Sequence, residues 1–189
     1  MWNSSAWLEK NDFKDPNITT EWVTKGNVTE QGIIKFFINA VTANSCVQKK
    51  SELTDERIAA VVPFTSKRKM GSIVVREEDK AGTDQEIRTY CKGAPDMLLK
   101  KCKFCIALDG SVQPIDQQTT VPVSLLGPGE EEGTMDSYKG VFERTINKFA
   151  KQAYRTILVT YNDMSLDNFE NVKQQNNGFA KEDDREALE

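Results

Sequence analysis

The sequence predicts an α+β fold, in which an antiparallel β-sheet is flanked by helices. Strand-like segments at residues 58–64, 72–76 and 86–92 follow one another in hairpin order, and apolar residues recur at helical spacing over 27–41 and 142–153. Such a mixture of consecutive strands with helices between them is typical of α+β domains. The chain has 189 residues, of which 38% are hydrophobic, so it can bury the core of one domain of ordinary size.

The composition excludes several classes of function. The chain contains no histidine, which removes imidazole acid–base catalysis, Ser/His/Asp triads and His-ligated metal sites. A formal net charge of −4 and a pI of about 5.1 argue against a nucleic-acid partner. No apolar run approaches the roughly 18–20 residues of a membrane helix, so we expect no membrane insertion by this chain. We also expect it to be a monomer.

The first predicted helix follows a polar lead-in. Residues 1–21 combine turn formers with scattered tryptophans, and we expect a loosely structured, partly disordered segment there and one domain over 22–189. Asn27 is suited to cap a helix, and Glu30 follows three residues later, as in a capping box. One apolar face comes next, formed by Ile33, Ile34, Phe37, Ile38 and Val41.

The middle of the chain alternates strands with turns. A basic turn, Thr65–Lys69, separates the first two predicted strands. A short helix is expected to start at Gly93–Asp96 and to continue through Leu99, because proline suits the first helical turn and aspartate the positive end of the helix dipole. Residues 107–136, including the acidic run Glu130–Glu132, are rich in glycine, proline and acids and predict a long loop that can hold a short strand.

The last part of the chain predicts helix, strand and helix. Apolar residues recur at helical spacing between Phe142 and Ala153, and residues 155–161 are strand-like. The tail, residues 162–189, is acidic. We expect one helix around Asp167–Lys173 and a further one near the end.

The four cysteines are interpreted as free thiols of a reducing compartment. Only Cys102 and Cys105 have the CxxC spacing of a metal or redox site. A zinc site would need a second pair, which Cys46 and Cys91 do not form, and a thioredoxin-like motif would need a βα start around it.

Four short motifs occur in order along the chain. They are Gly26–Glu30 (GNVTE), Pro63–Lys69 (PFTSKRK), Lys92–Asp96 (KGAPD) and Tyr154–Tyr161 (YRTILVTY). In order and content they resemble the nucleotide-binding (N) domain of P-type cation-transporting ATPases, and most closely that of the plasma-membrane calcium-transporting type. The resemblance covers roughly residues 22–189. Each motif alone is weak, whereas four in the right order are a strong signal.

The residue types of these motifs suit a nucleotide. Phe64 offers a flat face for a base, and a core position is the alternative. Lys69 and Lys92 are suited to phosphate or ribose, or are surface charges, and the helix start after Gly93 favours an anion. Gly93 is interpreted as letting the backbone come close to the ligand while also starting the helix. The resemblance implies that Phe64 stacks on adenine and that Arg155 contacts phosphates; an ion pair is the alternative for Arg155.

Glu30 resembles the acid that approaches the adenine amino group in this family. The alternative is the capping box with Asn27. Val28 and Asp96 depart from the usual proline and glutamate of the family, and neither is expected to touch the ligand.

One further motif, Asp79–Thr83 (DKAGT), is a single substitution away from DKTGT, the loop that is phosphorylated in P-type ATPases. We reject it as a phosphorylation site. It follows the Phe64 motif instead of preceding the domain, and acidic residues surround it, so nothing would activate the aspartate.

The resemblance implies a cytosolic domain that holds ATP by adenine stacking and basic phosphate contacts. It would present the γ-phosphate to an aspartate on a separate phosphorylation domain of a parent ATPase, at the cytoplasmic face of a membrane. The phosphorylation and actuator domains are then its partners. Magnesium would arrive with ATP, since the sequence shows no dedicated metal cage. Lacking a true DKTGT, the chain itself is expected to bind ATP without hydrolysing it.

Two other classes of protein make different predictions from this sequence. An ATPase-derived interaction module without nucleotide binding predicts no effect of substituting Phe64 or Lys92. A small phosphatase of the haloacid-dehalogenase type would need a D-x-D loop after an apolar strand, and the sequence has none.

Overall fold

The computed structural model describes residues 2–10, 22–78, 85–116, 120–123 and 135–189. The Asp79–Thr83 motif and the acidic run Glu130–Glu132 lie outside the described residues.

The described residues contain strands and helices in mixed order, as the sequence predicts. The strands are β1 (Trp7–Lys10), β2 (Trp22–Lys25), β3 (Ile58–Thr65), β4 (Met70–Glu78), β5 (Gln85–Gly93), β6 (Phe104–Ile106), β7 (Val112–Pro114), β8 (Thr120–Pro122), β9 (Met135–Ser137) and β10 (Leu158–Ser165). The helices are α1 (Val28–Ala40), α2 (Ala43–Ser51), α3 (Pro95–Leu98), α4 (Tyr138–Lys151) and α5 (Leu166–Gln175). Short 3-10 helices lie at Asp55–Arg57, Leu99–Lys101, Asn177–Phe179 and Asp183–Leu188.

The largest sheet has four strands in the order β10-β5-β4-β3, and three antiparallel pairs, β1–β2, β6–β7 and β8–β9, accompany it. The α+β class is therefore confirmed. By its internal contacts the chain divides into two compact units. The first comprises Met1–Val62, Ser72–Tyr90 and Asn162–Glu189, and the second comprises Pro63–Gly71 and Cys91–Tyr161.

The first unit is organised around an apolar cluster on the sheet. Its buried members are Val74, Ile87, Phe169, Phe179 and Leu188. Because α5 and the 3-10 helices after it supply Phe169, Phe179 and Leu188, the acidic tail is folded onto strand residues Val74 and Ile87. The helix expected around Asp167–Lys173 is confirmed as α5, capped by the Ser165 side chain, which accepts from Asn168 N at 3.3 Å.

Part of the lead-in that was expected to be loosely structured, residues 7–10, forms a strand, whereas residues 11–21 lie outside the described residues. Residues 7–10 form β1, which pairs with β2 in antiparallel register. Trp2 packs edge-on against Tyr90, with ring centroids 5.8 Å apart, and its ring lies 4.9 Å from the Arg57 guanidinium carbon. The reason is a long-range pairing and an aromatic contact, neither of which leaves a local signal in a polar segment.

The second unit has a smaller cluster of Met70, Cys91 and Leu98, against which Met97 and Leu158 pack. The helix of the KGAPD motif is confirmed as α3, with Pro95 in its first turn. The other helix, α4, starts at Tyr138, earlier than the apolar spacing indicates, because the Ser137 side chain accepts from Gly140 N at 3.0 Å and so caps it.

None of the helices in the described part of the chain has both the length and the apolar composition needed to cross a membrane.

Candidate nucleotide-binding site

The basic turn Thr65–Lys69 connects β3 to β4 and is stabilised by hydrogen bonds between its own residues. Lys69 N donates to Thr65 O at 2.7 Å, and Arg68 N donates to Thr65 Oγ1 at 3.3 Å. The Arg68 guanidinium turns back to donate to the Pro63 carbonyl and so links the turn to the end of β3. Lys69 has a φ of +56°, an uncommon left-handed conformation for a residue other than glycine, and its side chain is 54% exposed.

Phe64 stands at the end of β3 with 62% of its surface exposed. This exposure excludes the core position that was its alternative. Gly71 lies opposite on β4, and a Cβ there would come within 3.0 Å of Phe64 N and 3.1 Å of Phe64 Cα. A residue with a side chain would displace β3 at this point, so Gly71 keeps the Phe64 backbone close to β4.

The KGAPD segment, Lys92–Asp96, lies directly on the basic turn. Ala94 N donates to Lys69 O at 2.9 Å, and a Cβ on Gly93 would come 2.5 Å from that same oxygen and 2.7 Å from Met70 Cβ. Lys69 Nζ lies 3.8 Å from Asp96 Oδ2, in an ion pair whose partners are both more than half exposed. Such a pair is weak, so it leaves the ammonium group able to exchange partners.

Lys92 and Arg155 are close in sequence to residues of the apolar cluster of this unit. Lys92 is half-buried near the end of β5, immediately after the buried Cys91. Arg155 is exposed and precedes β10, whose first residue, Leu158, packs on the cluster that contains Met70 and Cys91. These contacts bring the start of β10 to the end of β5.

The placement of Arg155 differs from the prediction, because residues 155–157 precede the strand instead of beginning it. The later start of the strand follows from the way α4 ends, with one residue in the left-handed backbone conformation. Ala153 has a φ of +59°, and Tyr154 N donates to Phe149 O at 3.0 Å. This conformation and hydrogen bond terminate the helix. The Tyr154 ring then packs on Phe149 at 6.1 Å between centroids, and Arg155 follows.

Five of the six residues predicted to bind nucleotide therefore belong to the second unit and gather at one end of the sheet: Phe64, Lys69, Lys92, Gly93 and Arg155. Four of them are aromatic or basic, and Lys67 and Arg68 add two further charges to the same turn. An exposed ring beside a cluster of cations is an arrangement that can stack a base and attract phosphates.

Glu30 lies in the first unit, on the first turn of α1. Its carboxylate accepts from Ser5 N at 2.7 Å and from the Ser5 hydroxyl. The cap of α1 is confirmed, since Asn27 Oδ1 accepts from Thr29 N at 2.9 Å. The geometry of the second unit does not include Glu30, and its contact with adenine stays a prediction.

Sequence reasoning missed two residues of this site. Gly71 is needed for the close approach of β4 to Phe64, and Asp96 is the ion-pair partner of Lys69, although it was expected only at the helix start. A glycine two residues after the basic turn was the available signal for Gly71. Within the described part of the chain, no group of three or more cysteine or acidic side chains is placed to hold a metal ion.

The whole chain, residues 1–189, matches the sequence profile of a family described as P-type ATPase, cytoplasmic domain N. The chain therefore belongs to this family, and the resemblance drawn from its four motifs is confirmed.

Curated proteins that the chain resembles include calcium-transporting ATPases. It is 27% identical over 159 residues to the plasma membrane calcium-transporting ATPase mca-1 of Caenorhabditis elegans, which covers 84% of this chain and 11% of that protein. It is 29% identical over 117 residues to the calcium-transporting ATPase PAT1 of Dictyostelium discoideum, covering 62% of this chain and 8% of the relative. The plasma membrane-type calcium-transporting ATPase 5 of Oryza sativa subsp. japonica is 29% identical over 108 residues, or 57% of this chain and 9% of its own length. The chain thus spans about a tenth of the length of these relatives.

Proposed function

We propose that this chain is the ATP-binding domain of a calcium-transporting P-type ATPase, and that it binds but does not hydrolyse ATP. Phe64 stacks on the adenine ring, while Lys69, Lys92 and Arg155 face the phosphates. The γ-phosphate is presented to an aspartate on a separate phosphorylation domain. The chain supplies binding and positioning, which in phosphoryl transfer account for most of the catalysis.

The observation that carries this proposal is the contact between the basic turn and the KGAPD segment. The Lys69 carbonyl accepts from Ala94 N at 2.9 Å, so Lys69 and Lys92 are held on either side of one short backbone contact. Phe64, 62% exposed, lies at the start of the same turn. An exposed phenylalanine has no stabilising role in a core, and here it adjoins the cations that a triphosphate needs.

Calcium transport by the parent protein is proposed from the motif resemblance and from the three relatives, all of which carry it in their names. The family description, a cytoplasmic domain, supports a position at the cytoplasmic face of a membrane. The phosphorylation and actuator domains of a parent ATPase are proposed as partners from the motif resemblance. Magnesium would be bound with ATP and held by its phosphate oxygens.

Calorimetric titration of the 189-residue chain with Mg-ATP and, separately, with tripolyphosphate distinguishes the affinity due to base stacking from the affinity due to phosphate–lysine attraction. Stacking of a base on an aromatic ring contributes about 1–3 kcal/mol, so Phe64→Ala is expected to weaken ATP binding about tenfold or more. It should leave tripolyphosphate binding unchanged, because that ligand has no base. Lys92→Ala is expected to weaken both ligands.

Matched controls are available in the same unit. Phe104 is 60% exposed, close to the exposure of Phe64, and Phe104→Ala should leave both affinities unchanged. Lys100→Ala removes an exposed lysine outside the motif and serves the same purpose for Lys92. A folded wild-type chain with no saturable heat at millimolar ATP would refute the proposal and favour an interaction module.

A further inference from the structure

The hairpin formed by β6 and β7 presents an apolar face to solvent. Phe104 pairs with Pro114 and Ile106 with Val112, so these four side chains share one face of the hairpin. Phe104 is 60% exposed, Ile106 58% and Val112 57%. Leu108, at the turn between the strands, is 89% exposed.

The pattern of this hairpin is inverted relative to an ordinary surface sheet. The opposite face carries Cys105 and Gln113, a small thiol and a polar amide, and both are half-buried. A strand with one face in water normally places its apolar residues inward. Because the exposed face here is the apolar one, the sequence is suited to a state in which that face is covered.

In the described part of the chain, no strand lies beside the edge of β6 that faces away from β7. Hydrogen bonds from Ala107 N to Ser111 O at 2.8 Å and from Ile115 N to Lys103 O at 3.0 Å extend the ladder at both ends. Since alternate residues of an antiparallel strand bond to the same neighbour, the backbone groups of Phe104 and Ile106 point to the open side.

The charges around the hairpin indicate the kind of partner. Three exposed lysines, Lys100, Lys101 and Lys103, lie within the four residues before β6. The acid at the turn, Asp109, accepts from Ser111 N at 2.9 Å and from Ser111 Oγ at 2.7 Å, and these bonds hold its pKa below the ordinary value. The hairpin therefore combines three lysines before its first strand, an apolar face and an ionised carboxylate at its turn.

We propose that this face is a docking surface for an extended protein segment that alternates acidic and apolar residues. The segment adds as a strand to the edge of β6, its apolar side chains cover Phe104 and Ile106, and its acids face the lysines. A second copy of this chain is disfavoured because it would bring like charges together. An anionic bilayer is disfavoured because the ionised Asp109 at the tip would have to enter it.

Amide NMR of the isotopically labelled chain tests this inference with a synthetic probe, the acetylated and amidated octapeptide (Glu-Val)4. We expect saturable shifts over residues 104–112, with a dissociation constant on the order of 0.1 mM or tighter, as for weak transient contacts. The basic peptide (Lys-Val)4 and the apolar-free peptide (Glu-Ser)4 should bind at least tenfold more weakly. Equal binding of either comparison peptide would overturn the proposal, and so would an absence of binding.

Substitutions test whether the peptide binds to the hairpin or to another exposed apolar residue. Phe104→Ser and Ile106→Ser should each weaken the probe at least tenfold while leaving the melting temperature within a few degrees of wild type. Phe36, which is 67% exposed on α1, provides the matched control, and Phe36→Ser should not change binding. Shifts of the hairpin with chain concentration alone, or its broadening by phosphatidylserine vesicles without response to the peptide, would assign the face to another occupant and overturn the proposal.

Discussion

Replacing Gly93 by alanine tests the contact on which the site is built. A Cβ at this position would lie 2.5 Å from the Lys69 carbonyl oxygen and 2.7 Å from Met70 Cβ. Both obstacles belong to the basic turn and the start of β4, and one of them is backbone. The substitution therefore cannot be accommodated by rotating a side chain, and the KGAPD segment must move away from the turn by about 0.5 Å or more.

Two losses add up in this variant. Forcing an extra carbon into a packed contact destabilises a protein by about 1–3 kcal/mol. Lengthening the hydrogen bond from Ala94 N to Lys69 O, 2.9 Å in the wild type, removes up to about 1 kcal/mol more. A total of about 3 kcal/mol lowers the melting temperature of a chain of this size by about 6–12 °C.

Thermal and urea unfolding of Gly93→Ala should be compared with Gly32→Ala. A Cβ on Gly32, within α1, meets nothing within 4 Å, so alanine there should stabilise the helix by about 0.5–1 kcal/mol. The two glycine-to-alanine changes are thus expected to have opposite signs. Equal or higher stability of Gly93→Ala relative to wild type would refute the close packing of the KGAPD segment on the turn.

Three further predictions follow from contacts outside the site. The Arg144 guanidinium, which donates to Asp136 at 2.8 Å, holds the pKa of that carboxyl below its ordinary value of 3.8. This lowered pKa gives stability that is present above pH 3.8 and is lost as the pH falls through the folded pKa. Asp136→Asn should therefore be less stable than wild type at pH 7, and urea titrations should show the gap narrowing as the pH falls below 3.8. Cys46 and Cys91 are 0% and 5% exposed, so a thiol reagent should modify two of the four cysteines in the native chain and all four in denaturant; four equally fast thiols would contradict the burial. Trp2→Ala removes an aromatic and a cation–π contact and should lower stability by about 1–2 kcal/mol, whereas an unchanged melting temperature would show that the lead-in is not docked.

The parts of the fold that the sequence could predict are those with local signals. The Asn27 cap with its apolar face, the strands on either side of the basic turn, and the proline of α3 each have their cause within a few residues. What could not be predicted depends on distant partners. The strand β1 pairs with β2 across eleven intervening residues, and α2 is too polar for an apolar stripe to reveal it.

The same distinction holds for the candidate site. Phe64, Lys69 and Lys92 stand in recognisable motifs, and the structure gathers them through one hydrogen bond and two close glycine contacts. The ion pair of Lys69 with Asp96 joins residues 27 positions apart, so no spacing within either motif indicates it. From the sequence, Glu30 fits a contact with adenine and a capping box equally well. In the structure its carboxylate accepts a hydrogen bond from Ser5, which lies outside its motif.

The most direct test of the central claim is an ATP titration of the labelled chain followed by two-dimensional amide NMR. We predict saturable shifts that cluster at residues 64–69, 92–94 and 155, with a further response at Glu30 if that acid approaches adenine. The shifts should weaken in Phe64→Ala and persist in Phe104→Ala. A folded chain whose spectrum stays unchanged at millimolar ATP, or whose shifts spread evenly over exposed lysines, would contradict the account.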